Sequence, residues 1–208
     1  GNIMIYKTHQ VSALAITSIM LSIGLEPSNI IPYYQQSIKE YIKLEEKLPF
    51  LTLDTLPFII LFIVSIGALL PDLDHHKSYI SRKIKIISFF TGFLKHRGPT
   101  HRLDYNILFF GFFSVLTMEI FNNPILSYII IWLGIGSILH IYGDMHTKSG
   151  VKLFGKKTFY VLPKKMTFVT NSPKESMWFG IYITIFFFIM FYQYNLFTVI
   201  EELINNFK

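Results

Sequence analysis

Five runs of membrane-spanning length, each nearly free of charge, dominate the sequence: about Thr8 to Leu25, Leu48 to Leu70 interrupted by Asp54, Tyr105 to Phe121 with Glu119 near its end, Pro124 to Gly143, and Ser176 to Ile200. A helix needs roughly 17 to 25 predominantly apolar residues to cross a bilayer, and each run meets that length. Backbone in hydrocarbon must satisfy its own hydrogen bonds, and no run shows the alternation of a membrane strand, so helices are expected. The expected fold is all-α, an integral membrane bundle of about five transmembrane helices forming a single domain over residues 1–208. Composition agrees: only 15% of residues are charged and 51% are hydrophobic, where soluble domains carry about 25% charged residues. The first run closes without a small-x-small cleavage site and is read as a retained helix.

Two further segments read as lying on the membrane rather than in it. Ile86 to Leu94 is apolar but short, held between Lys85 and Lys95 and carrying Phe89, Phe90 and Phe93; a short interfacial or re-entrant helix is expected near residues 84–95. Tyr33 to Lys47 shows a helical period in Tyr34, Ile38, Tyr41, Ile42 and Glu45 and reads as a surface helix. With an N-terminus in the cytoplasm, fifteen of the nineteen Lys and Arg residues fall on the cytoplasmic side. The remaining four, Lys39, Lys43, Lys47 and Lys208, fall on the other. This asymmetry predicts a multi-pass inner-membrane protein whose two basic loops face the cytoplasm.

The seven histidines occupy four short stretches. They are Thr8-His9-Gln10; Pro71-Asp72-Leu73-Asp74-His75-His76; His96-Arg97-Gly98-Pro99-Thr100-His101; and His140-Ile141-Tyr142-Gly143-Asp144-Met145-His146. On the five-helix topology all four fall at the same membrane face, provided the Ile86 run does not cross. The chain has no Cys, so thiolate ligation and Cys nucleophiles are excluded, and any metal site must be built from imidazole and carboxylate, which suit Zn²⁺ and other first-row divalent ions. His140 and Asp144, four apart on a helix, can reach one ion. Asp72 and Asp74 share a side in extended backbone, and the Gly98-Pro99 turn can fold His96 back toward His101.

Each pattern has a plainer explanation. A lone interfacial His such as His9 is ordinarily a solvated polar tip. Asp72 and Asp74 fit a helix-ending Pro-Asp turn. His140 with Asp144 fits an interhelical hydrogen bond, although ionisable residues inside a membrane mostly serve function. Ser172-Pro173-Lys174-Glu175 is a capping-box pattern, which accounts for Glu175 better than a ligand role does.

The ordered set of Thr8-His9, Gly-Ala-Leu-Leu-Pro-Asp-Leu-Asp-His at 67–75, His-Arg-Gly-Pro-Thr-His at 96–101, and His140-x-x-x-Asp144 followed by Thr147-x-Ser149-Gly150-Val151 resembles the YdjM family. That family comprises inner-membrane proteins described as metal-dependent hydrolases and looks distantly similar to the zinc-dependent phospholipase C and nuclease superfamily. The resemblance implies metal ligands at His9, Asp72, Asp74, His96, His101, His140 and Asp144. The sequence departs from the pattern in His146, where an apolar residue is expected, and in an extra His76.

The functional expectation is a membrane hydrolase holding two or three divalent ions, Zn²⁺ first among them, at the cytoplasmic face and cleaving a phosphoester of a lipid or isoprenoid phosphate. Asp72 or Asp74 serves as bridging ligand or general base. Arg97, between His96 and His101, is placed to clamp a phosphate oxygen. The expected partners are the bilayer and a lipid-linked phosphate, with no nucleic acid. The competing expectation is a divalent-metal transporter or sensor using the same residues, disfavoured because its ligands would lie near mid-membrane rather than at helix ends.

Overall fold

The computed structural model describes residues 5–45, 48, 52, 54–74, 99–154 and 157–206. Among these the chain is helical and contains no strand. The helices are α1 (Ile5–Ser22), α2 (Pro27–Ile30), α3 (Gln35–Glu45), α4 (Leu56–Gly67), α5 (Leu103–Glu119), α6 (Pro124–Asp144), α7 (Pro173–Tyr192) and α8 (Leu196–Asn206). Short 3-10 turns at Pro32–Tyr34, Pro71–Asp74 and Pro99–His101 join them.

Local chemistry sets several of the ends. The Asn123 side chain caps α6 by accepting from the Leu126 amide at 2.9 Å, with Pro124 in the first helical position. Ser172 caps α7 by accepting from the Glu175 amide, with Pro173 behind it. α4 ends at Gly67, its last carbonyls taken up by the Ala68, Leu69 and Leu70 amides, and the chain turns into Pro71–Asp74.

The core lies where α1, α4 and α6 meet, around Ala13, Ile60, Leu61, Val64, Ala68 and Trp132. α5 packs along α6, and α7 along α1. The backbones of α4 and α6 approach closely at two glycines. A Cβ on Gly67 would overlap the Leu133 carbonyl, and one on Gly136 would overlap the Val64 carbonyl. Small residues at such a crossing substitute backbone contact for side-chain packing, the usual device of helix pairs in lipid. At one end of the bundle, Ser114 and Ser127 bond across α5 and α6 at 2.8 Å, Tyr34 reaches Ser114 at 2.6 Å, and Ser37 donates to the Pro124 carbonyl at 2.7 Å. The expected surface helix at 33–47 is therefore present as α3 and its preceding turn, anchored through buried Tyr34 and Tyr41.

All five apolar runs contain helix, but only two form helices long and apolar enough to cross a membrane by themselves, α6 and α7. Among the described residues this is two candidate spans against the five expected, and α1, α4 and α5 fall short for separate reasons. α4 has twelve residues, about 18 Å of helix. α5 has seventeen and ends at Glu119. α1 is long enough, but its inward faces carry Thr8, His9, Ser12, Thr17 and Ser18, all buried in the bundle. The last run meets the requirement in α7 and then breaks where Asn195 takes a φ of 47°, separating α7 from α8. α7 is the most telling of the pair, because only 11% of its apolar stretch is buried, leaving Phe187, Phe188 and Phe191 facing outward. Water does not favour such a surface; lipid does. The interfacial helix expected near residues 84–95 lies outside the described residues.

The Gly67–Gly136 crossing yields a direct test. Gly136→Ala should lower the stability of the detergent-solubilised protein by about 1–3 kcal/mol, read as a drop in its thermal midpoint, and Gly136→Leu should lower it further.

Candidate metal centre

Five of the expected ligand residues meet at one end of the bundle, although they come from four elements distant in sequence. His9 stands near the start of α1, Asp72 just beyond α4, His101 just ahead of α5, and His140 and Asp144 in the last turn of α6. The helices therefore alternate in direction, which brings the start of α1 and α5 to the same level as the finish of α4 and α6.

His140 fixes the geometry. It is 1% exposed, and its Nδ1 lies 2.7 Å from the Ala68 carbonyl oxygen. A carbonyl can only accept, so Nδ1 carries the proton and the neutral ring is left with its lone pair on Nε2. That Nε2 is buried without a hydrogen bond and faces two acceptors, Asp72 Oδ1 at 3.7 Å and Asp144 Oδ2 at 3.8 Å. His101 closes the set: its Nε2 lies 3.9 Å from Asp72 Oδ1 and 3.7 Å from Asp144 Oδ2, while Thr100 Oγ1 stands 3.1 Å from its Nδ1. These separations are too long for good hydrogen bonds. They approach the spacing of about 3.4 Å that donors 2.0–2.2 Å from one tetrahedral ion would have. Lone pairs converging on lone pairs repel unless a cation lies between them, so the donor set fits a divalent ion. A ligating His anchored through its other nitrogen to a backbone carbonyl is the support such ligands ordinarily have.

Asp144 also reaches the other way. Its Oδ1 lies 3.4 Å from His9 Nε2, and the His9 ring stacks on His140 with centroids 4.0 Å apart. Neither ring nitrogen of His9 makes a hydrogen bond. His9, His140 and Asp144 form one metal-capable group, and Asp72, His101 and His140 another, with His140 common to both. The two oxygens of Asp144 thus address different histidines, as a carboxylate bridging two ions does. Asp72 is the exposed edge of the cluster, its side chain 25% accessible, while the others are closed off.

The surroundings supply parts that sequence patterns did not reveal. Glu175 does sit in the expected cap of α7, but its carboxylate is buried and accepts from Thr8 Oγ1 at 2.9 Å and from the Asn171 amide at 2.6 Å. It ties the residue beside His9 to α7. Gly143 leaves no room for a side chain because a Cβ there would overlap His9. His146, the unexpected histidine, is not part of either group. Its Nδ1 bonds the Tyr142 carbonyl at 3.0 Å, its Nε2 faces the Tyr182 hydroxyl at 3.4 Å, and Trp178 packs edge-on against it. Burial pushes its pKa below the ordinary imidazole value, so it is a neutral packing residue with both nitrogens engaged. The segment after α6 folds back over this end, with Phe168 and His146 joined through backbone and Val151 paired with Phe159. His75, His76, His96 and Arg97 lie outside the described residues, as does the Asp74 side chain, whose backbone belongs to the same turn as Asp72.

A sequence model of the YdjM inner membrane protein family matches residues 4–197. The chain belongs to that family. The YdjM match takes in every described residue of the cluster, from His9 to Asp144. No curated protein and no solved structure matches the chain. Membership of the YdjM family, together with the two apolar helices α6 and α7, makes this a membrane protein with a His/Asp group that could hold a metal ion.

The anchoring of His140 and the engagement of His146 predict opposite behaviours. Adding Zn²⁺ to chelator-treated protein should raise its thermal midpoint, by the equivalent of about 2.7 kcal/mol when free metal is a hundredfold above Kd. His140→Ala should abolish that shift, and His146→Phe should retain it.

Proposed function

We propose that the chain is a multi-pass, metal-dependent membrane hydrolase that cleaves a phosphoester of a lipid-linked phosphate at the cytoplasmic face. The observation that carries this reading is the convergence of His101 Nε2, His140 Nε2, Asp72 Oδ1 and Asp144 Oδ2, with His9 beyond Asp144, at one end of the helices. In this reading α1, α4, α5, α6 and α7 together cross the bilayer, and the positive-inside asymmetry puts the cluster end in the cytoplasm. Support for the shorter members comes from their lipid-like outer faces, such as Leu108, Phe109, Phe112 and Val115 on α5.

His9, Asp72, His101, His140 and Asp144 would hold two divalent ions, with Asp74 and His96 available for these or a third. Zn²⁺ is the preferred ion for imidazole and carboxylate donors. Such ions, when bound, lower the pKa of water toward neutrality and neutralise charge on phosphoryl oxygens. The protein's part is orientation and proton handling. The Ala68 carbonyl and Thr100 hydroxyl turn His140 and His101 so that their Nε2 atoms face inward. Asp72, at the accessible edge, is the group placed to take a proton from an attacking water. Arg97 supplies a bidentate grip on a phosphate oxygen. The distant similarity to zinc-dependent phospholipase C enzymes that the YdjM resemblance implies would follow from such a site.

Protein purified in detergent without chelator should carry stoichiometric metal and release phosphate or headgroup from at least one member of a lipid phosphate panel. Asp72→Asn should lose turnover by a factor of about a hundred or more, the usual scale for a general base. Absence of bound metal would sink the proposal; bound metal without turnover would move it to a metal transporter or sensor. Orientation is checked separately in this Cys-free background, where Lys43→Cys should react with an impermeant maleimide added outside intact cells and Lys157→Cys should not.

A further inference from the structure

Beside the cluster, a cavity of about 430 Å³ opens between the end of α4, the Pro99–His101 turn, the start of α5 and the middle of α6. Leu70, Pro71, Phe109 and Phe110 line its walls. Two positions on its rim adjoin the metal-capable donors directly: Pro71 precedes Asp72 and Thr100 precedes His101. Ser137 marks its depth on α6, one turn before His140, so the cavity runs from the donors toward the middle of the bilayer by about 4.5 Å along that helix. Its mouth passes across the outward face of α5, where Tyr105 is 48% and Phe109 57% exposed.

Among the described residues of the wall, Asn106 and Ser137 satisfy each other. Asn106 donates to the Thr100 and Arg102 carbonyls at 2.8 Å each, and its side-chain oxygen accepts from Ser137. What remains toward the cavity is hydrocarbon and aromatic ring. Water against such a surface would be unfavourable, and Asn106 and Ser137, already bonded, offer a polar headgroup little there. A single alkyl or polyprenyl chain entering sideways from the leaflet fits on both counts, with its phosphate end at Asp72 and His101.

We propose that this groove holds the hydrocarbon chain of the substrate, so that the lipid is bound tail-in from the bilayer and its phosphoester is delivered to the exposed edge of the cluster. The inference rests on the hydrolase reading for the identity of the headgroup, but not for the binding of the chain. Two requirements follow for the substrate. It must present one chain free to leave its neighbours, and its phosphate must sit at the end of that chain.

The test uses hexadecyl phosphate carrying a diazirine near mid-chain, photolysed with the full-length protein in phosphatidylcholine nanodiscs, with labelled peptides mapped by mass spectrometry. Labelling should concentrate on residues 105–110. Unlabelled hexadecyl phosphate and hexadecanol should compete, whereas inorganic phosphate should not. Leu70→Trp, which fills the groove, should reduce labelling about tenfold, the loss expected when roughly two methylenes are denied burial. Phe109→Trp serves the same purpose if the first variant folds poorly. Labelling spread over the outer faces of α5 and α7 alike, or undiminished in both filled variants, overturns the groove. Competition by inorganic phosphate equal to that by hexadecyl phosphate overturns it as well, because binding would then reside in the headgroup alone. The two proposals separate cleanly. Groove labelling in protein that neither binds metal nor releases phosphate leaves the groove standing without the hydrolase, and turnover without groove labelling does the reverse.

Discussion

The bond from His140 Nδ1 to the Ala68 carbonyl is the interaction on which the rest of the site depends. It exists because α4 and α6 cross at Gly67 and Gly136, where neither backbone could tolerate a Cβ. The close crossing puts a carbonyl at the end of α4 within reach of an imidazole on the last turns of α6. That contact selects a tautomer, the tautomer aims a lone pair, and the lone pair defines where a cation belongs. Packing without side chains thus sets the chemistry of a side chain one helical turn away.

The electrostatics of the cluster explain why its members come from four elements rather than one. Asp144 is buried among His9, His101 and His140. A carboxylate enclosed in a membrane protein without compensation costs several kcal/mol. Neutral imidazoles relieve this only in part, since each has a single proton to give and that of His140 is already engaged by Ala68. Two carboxylates and three imidazoles, with nitrogens of His9 and His140 left unbonded, make a site whose polar groups a divalent cation would balance.

Much of this was legible in the sequence because the relevant signals are local. Apolar runs mark helices, and alternating helices bring their ends to common levels, which is why His9, Asp72, His101, His140 and Asp144 could be assigned to one face before any contact was known. What the sequence could not show is long-range. The Thr8–Glu175 bond joins residues 167 positions apart, and capping explained Glu175 so well that no further role was called for. His146 stands where the family pattern expects an apolar residue, and the turn after α6 directs it toward Tyr182 and Trp178, away from the cluster. The number of self-sufficient spans was overestimated for a related reason. Hydropathy counts apolar length, whereas α4 stops at twelve residues and α1 hides its polar side chains against its neighbours.

The stacking of His9 on His140 has a temporal consequence. His9 and Asp144 are separated by more than a hundred residues of chain, so at ordinary elongation rates, about 5–20 residues per second, the histidine must wait on the order of ten seconds for that partner. Throughout that interval α1 sits in or near the membrane with His9 lacking Asp144 and His140, while Ser12 and Ser18 bond back to its own carbonyls and Thr8 waits longer still for Glu175. The polar face that makes α1 a poor solitary span is therefore also what holds it ready for late assembly, and the centre cannot close on a product that stops before the end of α6.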